Sequence, residues 1–437
     1  MTTRPRLLTT LALAVPLALA AAGCGGSGTA STVAGAKLAS SSAAIAIGAT
    51  LSLTGSLSAL APPLEAGYQQ EIADVNAAGG IAIGGTKEKL RLVVMNNGSD
   101  PSTAAAQARE LVRRDHAAAL LGFATPQIVT PTALVAEQLH VPFLTSLMPV
   151  EAFANGDKSG WTYSWDLFYD ERQQAADAAK ALASVPGGKK IALFTDSDPD
   201  SVVERPLYKA AFTADGLDVV GDYTFPVGTT DFSAFIADAK RAGAQLLAGQ
   251  LAPADGVALW KQLATSGFRP KAAFLPEAPD AGSWWQSLGR LAQGTLSDGY
   301  WSPGQASPGQ LAAVASTLGQ KYAGSPGYAT AAVAYAVAQV LTDALDRAGS
   351  ASPGTLNAAI ARTDAPTAAG LITFSPSTHT AITPYYITQW RNGKLDQVQP
   401  RVSGVINDGS VVRLGGPRGP SRKAATQTPR DHDAGRG

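Results

Sequence analysis

The sequence predicts an α/β protein made of two doubly wound lobes, each a parallel β-sheet covered by helices. Three observations predict it. From Ala44 onward, short apolar runs alternate with amphipathic runs of helical period. Strands separated by helices imply parallel pairing, with both sheet faces covered. The alternation restarts after about residue 165. Finally, the chain has 437 residues, and beyond roughly 250–300 residues a single hydrophobic core stops growing and chains divide.

In the first set, AIAIGATLSL (44–53) reads as a short buried strand. PPLEAGYQQEIADVNAAGG (62–80) reads as a helix: Leu64, Tyr68, Ile72 and Val75 fall on one face, Pro62 and Pro63 open it, and Gly79 follows its end. LRLVVMNN (90–97) is the second strand. A helix follows over 100–115, with Asp100 as N-cap and Pro101 at its first position. A strand at 117–122, a helix at 128–139 and a strand at 141–145 complete the set.

The second set opens with a helix over 170–185. Strands at 190–195, 218–225, 244–249 and 271–275 then alternate with helices at 206–215, 231–243 and 256–267. Past residue 294 the order changes. A strand at 294–301 leads into helices at 308–322 and 327–349. The latter is nearly all apolar and small, which predicts burial. A strand at 370–375 and a hairpin turning at Asn392-Gly393 end the folded part. No segment after the N-terminal run reads as transmembrane. From about Gly415 the tail has no apolar face and reads as disordered.

At the N-terminus, Arg4 and Arg6 precede an apolar run from Leu7 to Ala22, interrupted only by Thr9, Thr10 and Pro16. The run falls short of the roughly 20 residues that span a bilayer, so residues 1–23 read as a cleaved export signal. The chain's only cysteine, Cys24, stands directly behind it. Small residues running into a cysteine resemble the bacterial lipobox, in which that cysteine carries lipid; Ala21 stands where the lipobox prefers Leu. Residues 24–43, rich in Gly, Ser and Ala, then read as a flexible tether.

Several function classes lack support. One cysteine leaves no internal disulfide and no thiolate metal site. A formal net charge of zero does not favour nucleic-acid binding. No Gly-x-Ser-x-Gly elbow, His-Glu-x-x-His pair or phosphate-cradling Gly-rich loop occurs. The four histidines, His116, His140, His379 and His432, pair with no nucleophile by spacing. A secreted enzyme is therefore disfavoured, and no metal or cofactor is implied.

Three stretches, 47–81, 93–115 and 227–249, carry a family resemblance. With their Thr-Gly-x-Leu loop, Asn-Ala-Ala-Gly-Gly-Ile helix end and Gly-Thr-Thr-Asp-Phe-Ser run, they resemble the leucine/isoleucine/valine-binding family of ABC-transporter solute-binding proteins, over roughly residues 44 to 402. The resemblance implies a type I periplasmic-binding-protein fold, with two lobes joined by three crossovers and a ligand cleft between them. It divides the chain into lobe 1 (44–164 plus 298–349) and lobe 2 (165–297 plus 350–414). It implies a monomer that takes a small molecule, an amino acid or analogue, and delivers it to ABC permease subunits from a lipid-anchored position outside the cell membrane. A sensor of the same fold, signalling to a membrane receptor, remains the alternative.

The same resemblance places the site at strand ends. Ser56 lies in the first cleft loop. Thr125 matches a hydroxyl that clasps ligand carboxylate in amino-acid-binding relatives, while Pro126 replaces a second such residue and has no N–H. Leu147 and Met148, with Pro149, stand where relatives carry small residues and a Thr. Met148 reads equally as core filler. Asp200 and Gln250 stand where relatives carry aromatics. Glu277 matches the acidic residue that meets the α-ammonium, and Tyr300 walls the cleft at the second crossover. Trp165 and Asp166 offer either a stacking and cation-pairing contact or plain aromatic packing at the hinge. Three carboxylates at strand ends predict a ligand with a positive group.

Overall fold

The computed structural model describes residues 44–280, 283–306, 308–399 and 414. The export signal, Cys24, the tether and the tail beyond 414 lie outside the described residues.

Two sheets form the frame. The first has six strands, in the order Thr380–Ile382, Ser164–Phe168, Phe143–Thr145, Ala119–Leu121, Ile45–Leu51 and Leu90–Asn96. Every pairing in it is parallel. The second has seven, in the order Lys394–Gln399, Tyr386–Arg391, Leu296–Gly299, Ala272–Phe274, Leu246–Gln250, Lys190–Asp196 and Asp218–Phe225. It is parallel except at the C-terminal hairpin, whose strands pair antiparallel with each other and with Leu296–Gly299. The strand order reverses at Ile45–Leu51 in one sheet and at Lys190–Asp196 in the other. Such switch points open a crevice at the strands' carboxyl ends.

Local sequence sets the helix starts. Asp100 caps the helix Pro101–Arg113 by accepting from the Thr103 N–H at 2.7 Å. Asp170 caps Glu171–Ala183 in the same way. Three expected starts are late, at 128, 206 and 256, where the helices begin at Pro126, Pro199 and Pro253. The helix expected over 206–215 runs from Pro199 to Ala214, capped by Asp198, and carries Pro206 inside it. Asp-Pro is a complete start signal, whereas Pro206 only removes one internal hydrogen bond. The helix expected over 308–322 is two, Pro308–Ser316 and Leu318–Tyr322.

The long helix Gly327–Ala348 is buried, as expected. By length and composition alone it is apolar enough to cross a membrane, which the sequence reading did not anticipate. In the fold it packs against Ala61–Ala77. There, a Cβ on Gly67 would stand 2.3 Å from the Ala331 carbonyl oxygen, so the helices touch at backbone distance.

The sheet memberships differ from the expected division at two places. Ser164–Phe168 lies in the first sheet, paired with Phe143–Thr145. The segment after Gly349 also returns there. The helix Pro353–Ala361 and the hairpin of Asp364–Thr367 with Gly370–Thr373 place Leu356, Ile360, Ile372 and Phe374 in the core that holds Ile47 and Leu64. The apolar faces of these pieces match the first core, and sequence periodicity cannot say which of two cores a face will meet. The chain passes between the sheets three times, after Phe168, after Gly299 and after Ile382.

Candidate functional site

Strand ends from both sheets converge on a cavity of about 40 Å³, space for a few water-sized groups. Its wall includes Leu60, Ala124, Thr125, Leu147 and Pro149 from the first-sheet side. Asp200, Gln250, Glu277, Asp280 and Asp298 come from loops and ends of the second sheet, and Phe168, Tyr169 and Tyr300 from the crossovers. A larger hollow of about 1030 Å³ adjoins it, sharing Asp280, Asp298 and Tyr300. The expected residues gather in the smaller space, which makes it the candidate site.

Backbone strain marks the same place. Thr125, Leu147 and Glu277 are non-glycine residues with φ of 65°, 58° and 49°. Such conformations cost of order 1–3 kcal/mol and cluster at ligand clamps. The Thr125 N–H donates to the Leu147 carbonyl at 3.2 Å, tying two of these loops together.

The polar wall is acidic. The Gln250 side-chain amide donates to Asp200 Oδ2 at 3.0 Å and to Glu277 Oε2 at 3.3 Å. With its NH₂ held between two carboxyls, its Oε1 is left without a donor among the described residues, as are Glu277 Oε1 and Thr125 Oγ1. Asp298 accepts from Tyr385 Oη at 2.5 Å, Tyr169 Oη at 3.1 Å and Gln174 Nε2 at 3.3 Å. Asp280 accepts from Ser297 Oγ at 2.9 Å. No Lys, Arg or His lines the cavity among the described residues.

Burial pushes all four carboxyls up, because the charged form loses its water. Asp200 reaches about 6, with the Asp196 charge adding to burial. Glu277 rises well above the carboxylate range through burial and then the charges of Asp200, Asp198 and Asp196. Asp280 is raised by burial and then Asp298. Asp298 reaches about 6 by burial, opposed by its three donors. Buried carboxyls without a counter-charge are costly, so the wall favours a positive guest. Among the described residues no group of three or more His, Cys, Asp or Glu is placed to hold a metal ion.

Six expected residues therefore meet at the cavity: Thr125, Leu147, Asp200, Gln250, Glu277 and Tyr300. Four do not. Ser56 sits in a turn whose amides are already engaged: Thr54 N–H bonds Asn96 Oδ1 and Leu57 N–H bonds Ser99 Oγ. Met148 is fully buried with Phe143, Phe153 and Trp161, since the left-handed turn at Leu147 sends consecutive side chains to different places. Trp165 stacks on His379 at 3.8 Å and donates to Asn357, so the packing alternative holds. Asp166 is buried, its carboxyl oxygens without a partner among the described residues. Both of these last two belong to an interior strand of the first sheet. Sequence reasoning missed Asp280 and Asp298 as site residues. Asp298 carries a readable signal, a carboxylate next to the end of the strand Leu296–Gly299, whereas Asp280 closes the short helical turn Ala278–Asp280 just past Glu277.

Comparison with known proteins agrees with this geometry. A family of periplasmic binding proteins matches residues 44–394. A Leu/Ile/Val-binding protein homolog of Brucella melitensis is 25% identical over 353 residues, 80% of this chain and 92% of that protein. The branched-chain amino acid transporter substrate-binding protein of Streptococcus pneumoniae, solved with isoleucine, superposes with a TM-score of 0.70 at 21% identity; the match covers 82% of this chain and all of that one. A solute-binding protein of an ABC transporter from R. palustris, solved with 4-hydroxybenzoate, gives 0.66 at 19% identity over 81% and 95%. With a match across four-fifths of its length, and with two wound lobes closing on a cavity at their strand ends, the chain belongs to the periplasmic binding protein family.

Proposed function

We propose that this protein is the extracytoplasmic solute-binding component of an ABC importer, and that it captures a small molecule bearing an ammonium group, an amino acid or a related amine, by closure of its two lobes. The observation that carries the reading is the cavity wall: Asp200, Gln250 and Glu277 joined by hydrogen bonds, with acceptor atoms unfilled and no cation beside them.

The mechanism follows from where those atoms sit. Strand ends of both sheets contribute to one wall, so a ligand there binds the closed arrangement better than an open one. Its differential affinity shifts the population toward closure. The ammonium fills Glu277 Oε1 and Gln250 Oε1, and charge-assisted hydrogen bonds of this kind are the strong ones. The closed pair of lobes is what the permease reads. Export by the N-terminal signal and lipidation at Cys24 would hold the protein beside its permease, raising its effective concentration. An aromatic acid is disfavoured: it brings no ammonium to Glu277 and Gln250, and the helix beginning at Pro126 offers no N–H at its first position.

Native mass spectrometry of the detergent-solubilised full chain, followed by a thermal-shift panel of amino acids, amines and aromatic acids, tests the proposal. A co-purified or stabilising amine is expected. Stabilisation by aromatic acids alone would overturn the ammonium assignment and leave only solute capture.

A further inference from the structure

Resting on the solute-binding reading, we infer that the cleft is built for a ligand with two cationic groups, a short aliphatic diamine, with one end at Glu277 and Gln250 and the other at Asp280. Glu277 and Asp280 stand at the two ends of one tight turn, where the Asp280 N–H donates to the Glu277 carbonyl at 3.0 Å. Both line the same cavity. Their hydrogen-bond sets are separate. Glu277 shares Gln250 with Asp200, whereas among the described residues Asp280 receives only the Ser297 hydroxyl.

A single ammonium satisfies the first set and leaves the second uncompensated. Behind Asp280 stands Asp298, whose oxygens are filled by Tyr169, Gln174 and Tyr385. That second carboxyl adds negative potential at the Asp280 end without competing for the ligand's hydrogens. Independently of the charge count, Gln250 Oε1, in a residue only 2% exposed, has no donor among the described residues, so an N–H of the guest is called for there.

The opposite wall excludes a third group. Leu60, Ala124, Leu147 and Pro149 are apolar, and Thr125 offers one hydroxyl. No cation stands ready for a ligand carboxylate, which separates a diamine from a dibasic amino acid. The aromatic faces at the crossovers, with Phe168 and Tyr300 centroids 5.0 Å apart, suit methylenes and alkylammonium groups. Asp280 also lines the adjoining hollow of about 1030 Å³, which gives the second end of the ligand chain room that the smaller space of about 40 Å³ lacks.

Isothermal titration of the full chain in detergent at pH 7.5, with 1,4-diaminobutane, 1-aminobutane, L-lysine and L-leucine, tests this. The diamine is expected to bind at least 100-fold more tightly than the monoamine and more tightly than either amino acid. Asp280→Asn is expected to abolish that preference, weakening diamine binding to the level of the monoamine. The wild-type selectivity stands as a test even if the variant does not fold. Equal affinity for diamine and monoamine, or tighter binding of lysine or leucine, overturns the second cationic contact and leaves solute capture intact. No heat with any amine or amino acid overturns it as well. If native mass spectrometry and the thermal panel then also find no solute of any kind, the solute-binding reading fails with it.

Discussion

Glu277 shows how much a single residue carries. It takes a left-handed backbone conformation, lacks a donor on one oxygen, and shares Gln250 with Asp200. Glu277→Gln keeps the shape and removes the charge. Losing a charge-assisted hydrogen bond of about 1.5–3 kcal/mol predicts a fall in amine affinity of roughly ten- to a hundredfold, read by calorimetry, with the thermal transition of the empty protein lowered little or not at all. Unchanged affinity would remove Glu277 from the ammonium contact. Asp166 makes the opposite case, because its burial serves no partner among the described residues. Its carboxyl is pushed well above the usual range by burial and then by the Glu171 charge. Asp166→Asn is expected to raise Tm at pH 8, with the gain shrinking toward pH 5, where the native carboxyl is already neutral. A lower Tm at pH 8 would mean that the ionised form is held by something that matters. Glu277 and Asp200 were legible as site residues through the family resemblance, each lying a few residues past a strand of the second sheet, Ala272–Phe274 and Lys190–Asp196. Asp166 resembled them in type but lies inside a strand, and a side chain there faces the core.

At the scale of elements, the contact between Ala61–Ala77 and Gly327–Ala348 rests on a missing side chain. A methyl at Gly67 would meet backbone at 2.3 Å and the Ala334 Cβ at 2.7 Å. Gly67→Ala therefore forces the helices apart and is expected to destabilise by about 1–3 kcal/mol, measured by denaturant titration, although alanine is the better helix former. A neutral or stabilising result would show that this pair yields easily. Asp298 works on the same scale. It ends the strand before the second crossover and is bonded by Tyr169 at the first and Tyr385 at the third, so one carboxyl joins all three passages between lobes. The alternation of strands and helices was readable along almost the whole chain, because each element's burial pattern repeats at its own period. The start at Pro199 was missed because Pro206 also resembles a start. The destination of Pro353–Ala361 and its hairpin was missed because nothing local names the core they join.

For the whole molecule the buried carboxyls set a direction with pH. Glu71 and Glu171 are raised to about 7, chiefly by burial. Asp200, Asp255 and Asp298 are raised to about 6 from the same leading cause. Unfolded, these groups titrate near 4. Between about pH 4 and 7 the native state thus binds more protons than the unfolded state, and stability falls as pH rises through that window. Scanning calorimetry of the empty protein is expected to show Tm dropping from pH 5 to pH 8. A rise would contradict the burial of these groups. A cationic ligand needs the ionised carboxyls, so binding should release protons, and amine affinity should strengthen from pH 5 to pH 7.5.

By itself the sequence determined the fold class, the family and the strand ends that bear the site, and the family match over residues 44–394 bears the family reading out. These properties are written locally, in hydrophobic period, caps and short loop motifs, each spanning a few residues. Only the tertiary structure decided which strand ends meet. It placed Asp280 and Asp298 beside Glu277, withdrew Ser56, Met148, Trp165 and Asp166 from the cavity, and returned the segment after Gly349 to the first core. The longest-range of those outcomes rest on contacts far along the chain: Trp165 stacks on His379, and Leu356 and Ile360 join the core of Ile47. A period read along the chain says which face is buried, and only the packed fold says what that face is buried against.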